Sequence, residues 1–216
     1  MIKYLLPFTL LLSSFSTRAQ TSVGFSFGGN FSQVRFTDSN GNLNKNLKGL
    51  PGSTASIYYL FDLVKGKKLK NAATNYLGVE AGYKSSKFED VANNLITSWQ
   101  IQYLSAQFLF RHATNSLRKA NLFYGGGFVT DFQIAGTQNQ GFSQYDITED
   151  LKPINLSITA EAGIKYDVSD DAAATLRFSY LRGLTNVEKD ESQTAFIHSV
   201  GISAAVFFYL TRTKKK

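Results

Sequence analysis

Residues Ile154–Tyr166 read I-N-L-S-I-T-A-E-A-G-I-K-Y, and this stretch decides the fold. Ile154, Leu156, Ile158, Ala160, Ala162, Ile164 and Tyr166 alternate with Asn155, Ser157, Thr159, Glu161, Gly163 and Lys165. Strict period-2 patterning marks a strand whose two faces meet different surroundings. A soluble barrel turns its apolar face inward, whereas a membrane barrel presents it to lipid and keeps polar groups in the lumen. The polar face here is built from small hydrogen-bonding residues with few charges, which suits a narrow lumen better than open water. The stretch therefore predicts a strand with lipid on one side and a packed polar interior on the other.

Seven further segments repeat the pattern. Ser22–Phe36 sets Val23, Phe25, Phe27, Gly29 and Phe31 on one face, and Thr54–Val64 sets Ala55, Ile57, Tyr59, Phe61 and Leu63. Tyr76–Lys84 opposes Leu77, Val79, Ala81 and Tyr83 to Gly78, Glu80, Gly82 and Lys84. Gln100–Arg111 groups Leu104, Ala106, Phe108 and Phe110, and Leu122–Phe132 groups Leu122, Tyr124, Gly126, Phe128 and Phe132. Ala173–Arg182 opposes Leu176, Phe178 and Tyr180 to Thr175, Arg177 and Ser179. Ala195–Leu210 turns Val200, Ile202, Ala204, Val206 and Phe208 away from Ser199, Gly201, Ser203 and Ala205. Each reaches the roughly 9–11 residues that a tilted strand needs to cross a bilayer. Closing them into a ring leaves no edge for lipid to strand unsatisfied. The expected fold is all-β, an eight-stranded antiparallel up-and-down transmembrane β-barrel.

Composition agrees. The 216 residues include 18 Phe and 11 Tyr but only 3 Pro, an excess that favours strands. With no Cys and only His112 and His198, disulfide scaffolds, thiolate metal sites and His-rich metal sites are excluded. Residues 1–19 read as a signal peptide: Lys3, an apolar run from Leu5 to Leu12, and Thr17 and Ala19 before a cut at Gln20. The run is too short for a membrane anchor. Residues 20–216 then form the outer-membrane barrel, and loss of Lys3 and Arg18 lowers the formal charge from +7 to +5.

The connections set the direction. Those over about residues 37–53, 85–99, 133–153 and 183–194 carry Asp38, Glu89, Asp90, Asp146, Glu149, Asp150, Glu188, Asp190 and Glu191, which is 9 of 16 acids. Those over 65–75, 112–121 and 167–172 are shorter on average, and two are basic through Lys65, Lys67, Lys68 and Lys70, then Arg118 and Lys119. The tail adds Arg212, Lys214, Lys215 and Lys216. Long outer loops and short periplasmic turns place both termini in the periplasm. Trp99, Tyr103, Tyr58, Tyr59, Phe207 and Tyr209 fall near strand ends, where aromatic girdles are expected.

Leu176-Arg177-Phe178-Ser179-Tyr180-Leu181-Arg182-Gly183-Leu184-Thr185-Asn186 resembles the R-Y-x-Y-G-L-T-N segment of the PorT-like small outer-membrane β-barrels of Bacteroidota. Tyr103–Arg111 is similar to that family's Y-L-E-I-P-L-L-x-K strand, and Phe123–Phe128 to its Gly-rich fifth strand. Ser105 and Gln107 stand where Glu and Pro are usual, and Arg182 is an extra residue before the Gly. The resemblance implies an eight-stranded outer-membrane barrel, with some relatives serving secretion or gliding machinery.

Glu80, Asp131, Glu161 and Arg177 fall on the expected lumen face, with Lys84 and Lys165 near them in register. Paired carboxylates can act as acid and base, but buried charges must first be paired, and an eight-stranded interior is only wide enough for side chains to fill. The expectation is a lumen charge network without catalysis, cofactor or metal. His112 and His198 sit at opposite strand ends and cannot share an ion. Neither a nucleophile elbow nor a phosphate loop is present, since Gly125–Gly127 lacks the following Lys-Ser/Thr. Export and scattered basic groups argue against nucleic acid. Expected partners are outer-membrane lipid and a periplasmic or surface protein, with the barrel itself a monomer. Three functions compete: a closed structural or partner-binding barrel, a narrow channel or small-solute porin, and a rim enzyme. The filled interior favours the first.

Overall fold

The computed structural model describes residues 21–44, 47–63, 74–92, 95–114 and 120–210. Among these residues nine strands form: β1 (Thr21–Thr37), β2 (Lys48–Asp62), β3 (Thr74–Ala92), β4 (Leu95–Thr114), β5 (Ala120–Gln140), β6 (Ser143–Asp146), β7 (Ile154–Asp167), β8 (Ala172–Gly183) and β9 (Thr194–Tyr209). Eight of them pair antiparallel with their chain neighbours around a ring. β4 joins β5, β5 joins β7, and β9 closes on β1 from Ser22↔Tyr209 to Thr37↔Thr194. β6 stands outside the ring, folded back on β5 across a turn in which Gly141 has φ +58°. The expected eight strands are thus the ring, and β6 is an addition within the stretch expected as a connection.

The described ends of the chain, at Thr21 and Leu210, share one rim, here the terminal rim; the connections β1–β2, β3–β4, β5–β7 and β8–β9 share the other, the distal rim. Phe25, Phe27 and Phe31 of β1, Phe108 and Phe110 of β4, and Val200, Ile202, Val206 and Phe208 of β9 point outward and are exposed. Their lumen-facing neighbours Ser26, Asn30, Ser199 and Ser203 are buried. This inside-out distribution is what a lipid-embedded wall requires.

Two sequence expectations need correction. Residues 85–99 were expected as a connection, but Ser85–Ala92 continues β3 and Leu95–Trp99 opens β4, paired from Ala92↔Leu95 inward. Residues 133–140 and 48–53 are likewise strand, within β5 and β2. The alternation inverts there: Val34, Phe36, Phe88, Trp99 and Ile101 point inward, while Gln33, Arg35, Lys87 and Gln100 point outward. A barrel that rises out of the bilayer meets water outside, so its apolar residues move to the interior. A search for outward apolar residues stops where that happens.

The aromatic girdle is the second correction. Tyr58 and Tyr103 are each 1% exposed and Phe207 is 2% exposed, all inside the barrel. Trp99 packs against the interior cluster of the distal rim. Of the six aromatics expected at the interfaces, Tyr59 faces outward beside Phe61, with ring centroids 4.5 Å apart. The signal peptide, Lys65 to Lys70, Arg118, Lys119 and the basic tail lie outside the described residues.

Candidate functional site

The interior is stratified. Nearest the terminal rim, the Lys165 ammonium lies 5.4 Å from the Tyr76 ring, 5.0 Å from the Tyr209 ring and 4.0 Å from Asp167 Oδ1. Above it Tyr58, Leu60, Leu109, Ala205 and Phe207 form a buried apolar layer, with the Tyr58 and Phe207 rings 5.5 Å apart. The strands place these side chains on the inner face because Tyr58 and Leu60 stay in phase with Ser56, and Ala205 and Phe207 with Ser203.

A charge cluster interleaves with it, Arg111 lying two residues nearer the terminal rim than Leu109 on β4 and Tyr58 standing in register with Glu80. The Arg111 guanidinium donates to both carboxylate oxygens of Glu161, the second at 3.1 Å. Arg177 Nη1 donates to Glu80 Oε2 at 2.8 Å and to Glu161 Oε2 at 3.4 Å, and its Nε donates to Ser203 Oγ at 2.9 Å. Ser56 Oγ donates to Glu80 Oε1 at 2.6 Å. Both guanidiniums also lie about 5 Å from the Tyr58 ring, at 5.1 and 4.9 Å. Two carboxylates and two guanidiniums give a neutral cluster in which every charge has an opposite neighbour, as burial demands.

Beyond the charge cluster is a polar cavity of about 80 Å³, lined in part by Asn30, Thr54, Gln107, Thr159, Ser179 and Ser199. Lys84 pairs with Asp131 on its distal side, and Ser105 Oγ donates to the same carboxylate. Lys84 lines both this cavity and a smaller one of about 10 Å³ beside Tyr103 and Asn155. At the distal end Phe88, Ile101, Tyr103, Leu151, Val187, Ala195 and Ile197 form a buried apolar cluster. Leu151 and Val187 come from the β5–β7 and β8–β9 connections, so those loops fold over the mouth.

The structure therefore brings Glu80, Glu161 and Arg177 together and places Asp131 apart, with Lys84, on the other side of the polar cavity. Lys165 belongs to neither pair and sits at the terminal rim with Asp167. Arg111 was missed, although Tyr103, Ser105, Gln107, Leu109 and Arg111 share the face opposite Leu104, Phe108 and Phe110. His112 and His198 lie at opposite ends of the barrel, and His112 Nδ1 is 2.7 Å from Asn75 Oδ1. No group of three His, Cys, Asp or Glu side chains suited to a metal occurs among the described residues.

The Gly183–Asn186 stretch is a staple. Thr185 Oγ1 accepts from Leu156 N at 2.9 Å and donates to Asn155 Oδ1 at 3.3 Å. Asn186 Oδ1 accepts from Ala195 N at 2.7 Å and Glu188 N at 3.1 Å, while its Nδ2 donates to Gln193 O at 2.8 Å. These bonds hold the β8–β9 connection against β7 and over the mouth.

An outward apolar band, a closed ring of eight antiparallel strands and a packed polar lumen define an outer-membrane β-barrel. Residues 16–189 match the family described as outer membrane protein beta-barrel domain, and the chain belongs to it. Among solved structures it is similar to Neisserial surface protein A, at 12% identity and TM-score 0.47 over 85% of this chain and 96% of that one. OprG from Pseudomonas aeruginosa is similar at 10% identity and TM-score 0.48, over 88% of this chain and 96% of that one. The outer membrane protease OmpT from Escherichia coli is similar at 8% identity and TM-score 0.43, over 90% of this chain and 98% of that one. No sequence among the curated proteins matches.

Proposed function

We propose that this protein is a closed outer-membrane barrel with a structural or partner-binding role. In this reading it is a non-catalytic monomer embedded in outer-membrane lipid, and both termini lie in the periplasm. The observation that carries it is the filled lumen: an apolar cluster at Tyr58 and Phe207 interleaved with a charge cluster at Arg111, Glu161, Arg177 and Glu80, and a second apolar cluster at Phe88 and Ile101. A channel needs a continuous polar path, and the polar cavity of about 80 Å³ lies between the two apolar ends. Work is then left to the rims. The partner in this reading is a periplasmic or surface protein, and the resemblance carried by Leu176–Asn186 supports a setting in secretion or gliding machinery. The buried carboxylates are held by fixed counter-charges, an arrangement suited to filling the lumen rather than to moving protons.

Single-channel recording of the refolded protein in planar bilayers tests the closed state. Wild type is expected to show no steps. The Glu161→Gln, Arg177→Gln double variant is expected to stay closed too, because both apolar clusters remain. Regular open steps in wild type would overturn the reading and make the protein a channel.

A further inference from the structure

Three neighbouring strands carry basic groups side by side on the outer wall near the distal rim. On β1, β9 and β8 the outward residues Phe31, Val200 and Tyr180 stand side by side in register, exposed by 48%, 53% and 48%. One step towards the distal rim, the row becomes Gln33, His198 and Arg182. Arg35 follows on β1, diagonal to His198. The wall thus passes from apolar to basic within two residues, about 7 Å of strand.

No acid stands in this row. The sequences of β1, β8 and β9 contain no Asp or Glu. On the flanking strands, Asp62 of β2 and Glu161 of β7 are buried inside the barrel, and Asp167 lies on the same inner face of β7. In the nearest turns Asp38 accepts from the Asn40 and Asn42 amides and Asp190 from the Ser192 amide, while Glu188 is half-buried beside Asp150 and Asp190 and Glu191 is exposed in the β8–β9 connection. His198 Nδ1 is covered and has no hydrogen-bond partner among the described residues. Arg35 and Arg182 stand on the strands either side of His198, so an anion placed over His198 lies between two guanidiniums that have no carboxylate in their own strands.

We propose that Arg35, Arg182 and His198 form a binding site for the phosphate of a lipid headgroup in the leaflet that meets the distal rim. The chemistry matches in three respects. Guanidiniums bind phosphate through paired, charge-assisted hydrogen bonds. The row lies where the apolar wall ends, at headgroup height. The apolar row of Phe31, Val200 and Tyr180 directly beneath offers a surface for the acyl chains of the same molecule. This site rests on membrane insertion and is independent of whether the lumen conducts.

The probe is diphosphoryl lipid A, added to the refolded protein in detergent and read by native mass spectrometry as lipid retained per barrel. Folding of each variant is checked by heat-modifiable gel mobility. Wild type is expected to retain diphosphoryl lipid A over its dephosphorylated form. In Arg35→Gln, Arg182→Gln, loss of two charge-assisted contacts lowers retention by about tenfold or more. The charge-matched control Lys87→Gln, Lys152→Gln retains lipid as wild type does, and Arg182→Lys retains part of it. Equal retention of the dephosphorylated lipid, or an unchanged double variant, would overturn the site. Inorganic phosphate raising the unfolding temperature of the lipid-free protein as much as the lipid does would make it a free-anion site, and would also overturn the assignment.

Discussion

Glu161 sits between two guanidiniums with its side chain fully buried, and the charge cluster depends on it. In Glu161→Gln, Arg111 and Arg177 face one remaining carboxylate, Glu80, inside a closed wall. Removing one partner of a buried ion pair costs about 3–5 kcal/mol, and urea unfolding in micelles should read a loss of that order. A loss below about 1 kcal/mol, the range of exposed pairs, would contradict the packing described. Glu188, half-buried in the β8–β9 connection, behaves differently. Burial first, then Asp150 and Asp190, raise its carboxyl above the ordinary range. The folded cap therefore holds that proton more tightly than the unfolded chain does. Its ionisation costs stability above the raised value, and the cost disappears as pH falls below the ordinary carboxylate value. Glu188→Gln should raise the exchange protection factor of the Val187 amide, bonded to Ala195 O at 2.9 Å, at neutral pH and leave it unchanged in acid. The opposite order would contradict the assignment. Alternation alone made Glu80, Glu161 and Arg177 legible as lumen residues. It could not separate Asp131 from them, because period 2 gives the face of a strand and not its height in a tilted barrel.

The β8–β9 connection and the close contact of β4 with β5 set the limits of single elements. Asn186→Ala removes three hydrogen bonds that hold the loop over the mouth. At about 1 kcal/mol for each, proteolytic nicking between residues 184 and 193 should become faster while the ring keeps its heat-modifiable mobility. Unchanged nicking would mean that the staple does not hold the loop. On β5, a Cβ added at Gly127 would lie 1.8 Å from the Phe108 carbonyl oxygen, so backbone must move. Gly127→Val should cost about 1–3 kcal/mol or more, read as a lower urea midpoint and a smaller folded fraction. The resemblance marked Gly183–Asn186 as a motif, but its staple role needs Leu156 and Asn155 of another strand, which no local pattern announces. The strand extensions were hidden for a related reason. Val34, Phe88 and Ile101 are apolar like their predecessors but sit on the other face, so the pattern appears to break where the strand in fact continues.

At the scale of the molecule, one ring of strands serves two solvents. Within the bilayer its outward face is apolar and its interior holds the charge cluster and the polar cavity beside a small apolar cluster; above the distal boundary the interior is apolar and residues of the loops pack into it. The apolar cluster at the distal end makes that upper part resemble the core of a soluble barrel. Strand count and the outward faces were readable from alternation, because lipid imposes one rule on every strand. The inner strata were not, since they depend on side chains from strands far apart in sequence. The chain has no Cys, so single cysteines can be introduced cleanly along β9 and spin-labelled in reconstituted vesicles. Accessibility to oxygen and to a water-soluble nickel chelate then tests the central claim directly. Labels at Val200, Ile202, Ala204, Val206 and Phe208 should meet oxygen and exclude nickel, while those at Phe196 and His198 should meet nickel. Nickel reaching the labels from Val200 to Phe208 would place that face in water and contradict the membrane-embedded wall.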